Sequence, residues 1–180
     1  MNKKWALFTP FAALVLTACG QSGQQPANST VQAPSSAETT TLVPAGSVQP
    51  VSAGDVNSAA LSGQACSLDA VDGDYAAQVS LDKGKPHVFR GWLETNQHKP
   101  AGAFRIVMVG ARNFAFPAET AVPRPDVATA LKNPALANSG FNVSVNLDSL
   151  PSGDYTVRLL MRTDGNAYWC DTKKSMIIAQ

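Results

Sequence analysis

Phe141-Asn142-Val143-Ser144-Val145-Asn146-Leu147, followed by the turn Leu150-Pro151-Ser152-Gly153 and the run from Asp154 to Arg162, decides the fold class of this chain. The first segment alternates apolar and polar residues without a break, the pattern of a strand with one face in a core and the other in water. Pro151 and Gly153 interrupt it, and Tyr155, Val157, Leu159 and Met161 then resume an alternate-residue apolar series. That second series reads as a strand running back beside the first.

The same signals extend outward in both directions. Thr163-Asp164-Gly165-Asn166 carries the D-G pair of a tight hairpin turn, Ala167 to Cys170 pairs with the strand before that turn, and Met176 to Ala179 makes a last short strand. Upstream, Val79–Leu81 and Pro86–Glu94 read as strand, the latter with Val88, Arg90 and Trp92 on one face and His87, Phe89, Gly91 and Leu93 on the other. Phe104–Val109 is a denser apolar strand, and Asn113–Phe116 continues the sheet after a turn near Gly110. One short helix interrupts this: Pro125 and Asp126 open it, Asp126 serving as cap or first-turn acid, and Asn133-Pro134 end it. About seven short strands with hairpin signals predict an all-β fold, an antiparallel immunoglobulin-like β-sandwich with one short helix. A closed barrel is the alternative, because local pattern does not count sheets.

The start of the chain has a different grammar. Lys3 and Lys4 precede an apolar body from Trp5 to Ala18, the layout of an export signal. The body is shorter than the roughly 20 residues of a membrane-spanning helix and contains Pro10. Leu16-Thr17-Ala18-Cys19, with Gly20 next, resembles the lipobox of bacterial lipoproteins. The resemblance implies removal of a signal peptide, residues 1–18, lipidation of the Cys19 thiol and acylation of its new amine. Acyl chains at Cys19 make the membrane itself a partner, and more than one chain makes the anchoring stable. Gly20 stands where an Asp commonly signals inner-membrane retention, so the resemblance implies an outer-membrane destination.

Residues 19–64, comprising the lipidated N-terminus and a long polar stretch, are rich in Gln, Ser, Thr, Ala, Pro and Gly and hold no aromatic residue. Such a composition predicts a disordered linker. As a flexible coil it gives a reach of roughly 35–40 Å, and about 150 Å when stretched. Residues 65–180 are the right length for one domain with its own core. The formal net charge of the whole chain is +1, which offers no field to draw in nucleic acid. With Cys19 reserved for lipid, Cys66 and Cys170 remain as an even pair. In an oxidising compartment they are most simply a disulfide.

Chemistry is harder to find. The two histidines, His87 and His98, fall on a strand, as a surface residue, and in a loop. There is no G-x-S-x-G elbow and no phosphate-cradling glycine loop. Asp69, Asp72 and Asp74 are the one acidic cluster, but they lack the ligand pattern of a calcium loop and read as a polar turn. No metal or other cofactor is predicted.

Leu150-x-x-Gly153-x-Tyr155-x-Val157 is similar to a hairpin of bacterial immunoglobulin-like and fibronectin-like modules. Gly91-Trp92, Arg124-x-Asp126-Val127 and Ser139-Gly140-Phe141 together resemble a bacterial β-sandwich accessory domain. The resemblance implies a non-catalytic binding or spacer module and carries no catalytic residues. Arg124 then has two readings: a structural partner of a neighbouring loop, or a holder of a carboxylate or sugar hydroxyl. Tyr168 and Trp169, adjacent on a strand, face opposite ways, so at least one belongs to the core while the other is free for a partner. Trp92 reads as core. The expected function is a membrane-anchored envelope lipoprotein that binds a protein or glycan partner, with Arg124, Tyr168 and Trp169 as candidate contacts. The alternative is a small envelope hydrolase whose site is assembled in the loops.

Overall fold

In the computed structural model, which describes residues 47–179 and the backbone of Val43–Pro44, the alternating run is strand Gly140–Asn146 with Phe141, Val143 and Val145 in the core. Eleven strands are present among the described residues: β1 Val43–Pro44, β2 Gln49–Val51, β3 Ala60–Leu61, β4 Cys66–Val71, β5 Gln78–Leu81, β6 Pro86–Leu93, β7 Ala103–Val109, β8 Asn113–Glu119, β9 Gly140–Asn146, β10 Gly153–Thr163 and β11 Asn166–Ile178. Two short helices, α1 Ala53–Asn57 and α2 Pro125–Ala130, and a 3-10 turn at Pro134–Asn138 complete them. The expected signal peptide, the Leu16–Cys19 motif and the expected linker before residue 47, apart from β1, lie outside the described residues.

The strands form a four-stranded sheet, in the order β1-β9-β6-β4, and a seven-stranded sheet, in the order β2-β8-β7-β10-β11-β3 with β5 also on β11. The long pairings are antiparallel. Only the short edge strands β1, β3 and β5 pair in parallel. A shared apolar core joins the sheets through two edge-to-face aromatic pairs. Phe89 meets Phe116 at 5.2 Å, and Phe141 meets Phe104 at 5.1 Å. Such pairs add about 0.5–1.5 kcal/mol beyond their buried area.

Local chemistry fixes the turns. Asp164 and Gly165 both have positive φ, 53° and 77°, as the two-residue hairpin between β10 and β11 requires. Tyr155 donates its hydroxyl to the Pro151 carbonyl at 2.9 Å, locking the Leu150–Gly153 turn to the strand it feeds. Gly110 makes room for that ring, because a Cβ there would lie 2.8 Å from a Tyr155 ring carbon.

Three expectations change. The segments 167–170 and 176–179 are one strand, β11, interrupted by a bulge: its register on β10 jumps from Asp171 to Ser175 while the partner advances from Arg158 to Thr156. Thr172 Oγ1 bonds the Val157 carbonyl at 2.7 Å inside the bulge, and Lys173 has φ +58°. Trp92 is half-buried on the outer face, because Phe89 and Leu93, of the opposite parity, take the core. Within the stretch expected to be linker up to Gln64, the described residues from Val48 onward are packed on the domain. Val48 joins the main core, β2 pairs with the edge strand β8, and β3 pairs with β11 on the opposite edge. Between them, Val56 and Ala59 pack on Val107, Ala115 and Leu160, forming a second apolar cluster on the outer face of the larger sheet. Average composition hides this strap, since a few apolar residues at the right spacing suffice to hold it.

Cys66 and Cys170 are bonded, with Cα atoms 6.4 Å apart and a sequence separation of 104. The bond joins β4 of one sheet to β11 of the other. Removing it with Cys66→Ser/Cys170→Ser is expected to lower the unfolding free energy by about 2–5 kcal/mol in urea titrations. Val56→Asp, which places a carboxylate in the 3 % exposed Val56 position, is expected to free the strap. Limited proteolysis then cuts residues 47–64 roughly tenfold faster while β6–β10 stay protected from amide exchange.

Candidate functional site

A polar-lined cleft of about 870 Å³ opens on the outer face of the smaller sheet. Its floor is β4, β6 and β9 at residues 67–70, 90–91 and 141–142. Residues 122–126 form one wall, and Tyr75, Ala77 and the β11 bulge at 172–174 form the other.

Arg124 is fixed at the first wall by two carboxylates. Its Nε and Nη2 engage Asp126 as a fork at 2.9 and 2.7 Å, and its Nη1 reaches Asp69 at 2.6 Å. Asp69 points there because it is the bulged residue of β4: Leu68 pairs with Gly91 and Ala70 with Arg90, leaving Asp69 between registers. Gly140 has no side chain for a reason, since a Cβ would lie 2.6 Å from Arg124 Cγ and 2.7 Å from the Val122 carbonyl. Gly91 is likewise closed to any side chain by the Ser67 carbonyl and the Phe141 ring. Asp126 is therefore the first-turn acid of α2 and not its cap; Arg124 occupies the cap position without a side-chain cap bond. The fork to Asp126, with Asp69 adding to it against burial, raises the Arg124 guanidinium further above its usual range. The Arg124 fork in turn holds the Asp126 carboxyl below its usual range.

Beside this closed network lies an open one. Asn142 is 4 % exposed, and neither its amide oxygen nor its amide nitrogen has a partner among the described residues. Its cross-strand neighbour in register is Arg90, which is exposed and pairs with no described carboxylate. Tyr75 stands on the rim with 77 % of its surface exposed. Lys174 is buried and spends its ammonium on the Ala76 carbonyl at 2.7 Å, which holds the Tyr75 loop against the bulge.

Of the three candidate contacts named from the sequence, Arg124, Tyr168 and Trp169, only Arg124 lines this cleft. Tyr168 packs against the main core. Trp169 belongs to the strap cluster under Arg158, whose guanidinium carbon lies 4.1 Å from the indole centroid. The alternation of β11 separates the two, as expected, and keeps both away from Arg124, so the three make no common patch. His87 is fully buried, not on the surface. Its Nε2 donates to the Asp82 carbonyl and its Nδ1 faces Asp72 Oδ2, both at 2.7 Å. His98 is exposed, 3.4 Å from Glu94. Neither lines the cleft.

The acidic cluster disperses, with Asp69 on Arg124, Asp72 on His87 and the Val88 amide, and Asp74 on the Ala76 amide. Among the described residues no three metal-ligating side chains converge. Asn142, Arg90, Lys174 and Tyr75 were not singled out, because an Asn or Arg on an alternating strand carries the ordinary signature of a wet face. No protein-family model matches the chain, and the curated proteins and solved structures searched for likeness contain no match to it.

Two measurements check this geometry. Gly140→Ala is expected to displace Arg124 and cost about 1–3 kcal/mol in urea unfolding, with loss of the downfield Arg124 Nε proton signal. Acid titration probes Asp126 and Asp72. Burial works to raise the Asp72 carboxyl, but the Val88 amide and the His87 ring outweigh it and hold it below the ordinary range. Both folded values lie below the unfolded value of 3.8. Their contribution is therefore complete above that value and is lost as pH falls through the folded values. Asp126→Asn is expected to flatten the fall in stability below about pH 4.

Proposed function

We propose that this chain is a lipid-anchored lipoprotein of the bacterial envelope, held at the outer membrane through Cys19. Its two-sheet domain acts as a non-catalytic module that binds an envelope protein or glycan through the cleft beneath Arg124. We read the two sheets as an immunoglobulin-like sandwich, a reading supported by the shared core and by the Tyr155 corner.

The observation that carries the binding reading is the unpartnered Asn142 amide in the cleft floor. Burying an amide without partners costs about 1–3 kcal/mol, and a ligand that supplies the missing bonds returns it. The residues that resemble an accessory domain support the same place: Gly91, Arg124, Asp126 and Phe141 all line this cleft. The hydrolase alternative draws no support from the histidines, since His87 has both ring nitrogens engaged and His98 lies outside the cleft.

The test is in-cell crosslinking with a photoreactive residue at Tyr75, compared with the same residue at the exposed Glu119 on β8. A discrete adduct from position 75 that vanishes in Gly140→Ala is expected; equal adducts from both positions, or none, sink the cleft as the binding site. Cys19→Ser is expected to move the protein from the membrane to the soluble fraction.

A further inference from the structure

We propose that the cleft takes a carboxylate-bearing saccharide, its acid on Arg90, a neighbouring hydroxyl or acetamido group on the Asn142 amide, and a sugar ring against Tyr75. This rests on the reading of the cleft as a binding site and names the ligand class for it.

The charge state of the cleft selects the acid. Arg124 is matched by Asp69 and Asp126, Lys173 by Asp171, and Lys174 is turned to a backbone carbonyl. Four cations, Arg90, Arg124, Lys173 and Lys174, stand against three carboxylates, Asp69, Asp126 and Asp171, and among the described residues Arg90 is the cleft guanidinium without one, so one carboxylate in bidentate contact balances the cleft. A multiply charged phosphate is disfavoured, because the Asp69 and Asp126 carboxylates stand in the same cleft.

Asn142 adds a second demand. Its amide nitrogen needs an acceptor and its amide oxygen a donor. A carboxylate alone supplies only acceptors. A hydroxyl or an acetamido group supplies both kinds, and the register places it close to the acid. Arg90 and Asn142 face each other across β6 and β9, where directly opposed Cβ atoms lie about 4.5–5.5 Å apart. Both side chains therefore rise from adjacent points on the same outer face, where neighbouring groups of one ligand meet them together. Tyr75, largely exposed at the rim, presents a flat apolar face with a polar tip, the surface on which sugar rings stack. A cleft of about 870 Å³ accommodates a ligand of two or three rings.

The test uses the full chain in detergent, with 3′-sialyllactose as the acidic probe, lactose as the neutral one and triglutamate as the acidic peptide. Calorimetry and amide-resonance shifts are expected to show sialyllactose binding roughly tenfold or more tightly than lactose, with shifts centred on Arg90 and Asn142. Arg90→Gln is expected to bring sialyllactose down to the lactose level. Asn142→Val separates binding from folding: it removes an unpartnered buried amide, so its urea midpoint is expected to stay or rise while binding falls roughly tenfold. Lactose binding as well as sialyllactose overturns the role of Arg90, and undiminished binding in Asn142→Val overturns that of the amide. Triglutamate binding best, or no probe binding at millimolar concentration, overturns the ligand class. A Tyr75 adduct that persists in cells alongside such a failure leaves the binding module standing and removes only its saccharide ligand.

Discussion

The Cys66–Cys170 bond is the constraint on which the site depends, because it ties the two sheets at the edge where the cleft opens. Cys66 begins β4, whose next residues, 67–70, are cleft floor, and Cys170 precedes the β11 bulge, whose residues 172–174 are cleft wall. The two segments come from opposite sheets and share no strand pairing. Core packing holds the sheets together, yet apolar contact has no preferred register and tolerates sliding. A covalent crosslink between β4 and β11 removes that freedom. Lys174 acts in the same sense from the far side of the bulge, clipping the 75–77 loop to the wall by one buried hydrogen bond.

The strap at residues 48–61 solves a different problem. A seven-stranded sheet exposes two edges and one outer face, and open edges invite pairing with other chains. β2 covers the β8 edge, β3 covers part of the β11 edge, and α1 sits over the face between them. Pro50, within the terminal strand β2, further discourages a next strand.

The period-two runs made most of the sheet legible. β6, β7, β9 and β10 lie within a residue or so of where alternation puts them, and the Asp164-Gly165 turn sits where its dipeptide says. What escaped was long-range. A strap held by Val48, Val56 and Ala59 has no local periodicity, and a bulge that lets 167–170 and 176–179 share one strand is visible only from its partner, β10. His87 read as a surface polar because a sequence does not show that the Asp72 turn and the Asp82 carbonyl will close on its two nitrogens. For the site, Arg124 was legible through its spacing to Asp126. Asn142 was not, since its meaning lies in the bonds it fails to make.

That failure arises from the same pleat that built the fold. Phe141 and Val143 must face the core, so the side chain between them must face outward, and a polar residue belongs there when the outer face is wet. Here the outer face is walled by residues 122–126 on one side and by the Tyr75 loop on the other, and the amide is covered without being matched. A valine at this position would satisfy the pattern of the strand and the burial equally well. The wall itself depends on Gly140, two residues away, giving up its side chain so that Arg124 can cross the strand. Gly140 serves the empty fold, because its missing side chain admits the Arg124 network with Asp69 and Asp126, whereas the unmatched Asn142 amide two residues later does not, since burying it without partners costs about 1–3 kcal/mol.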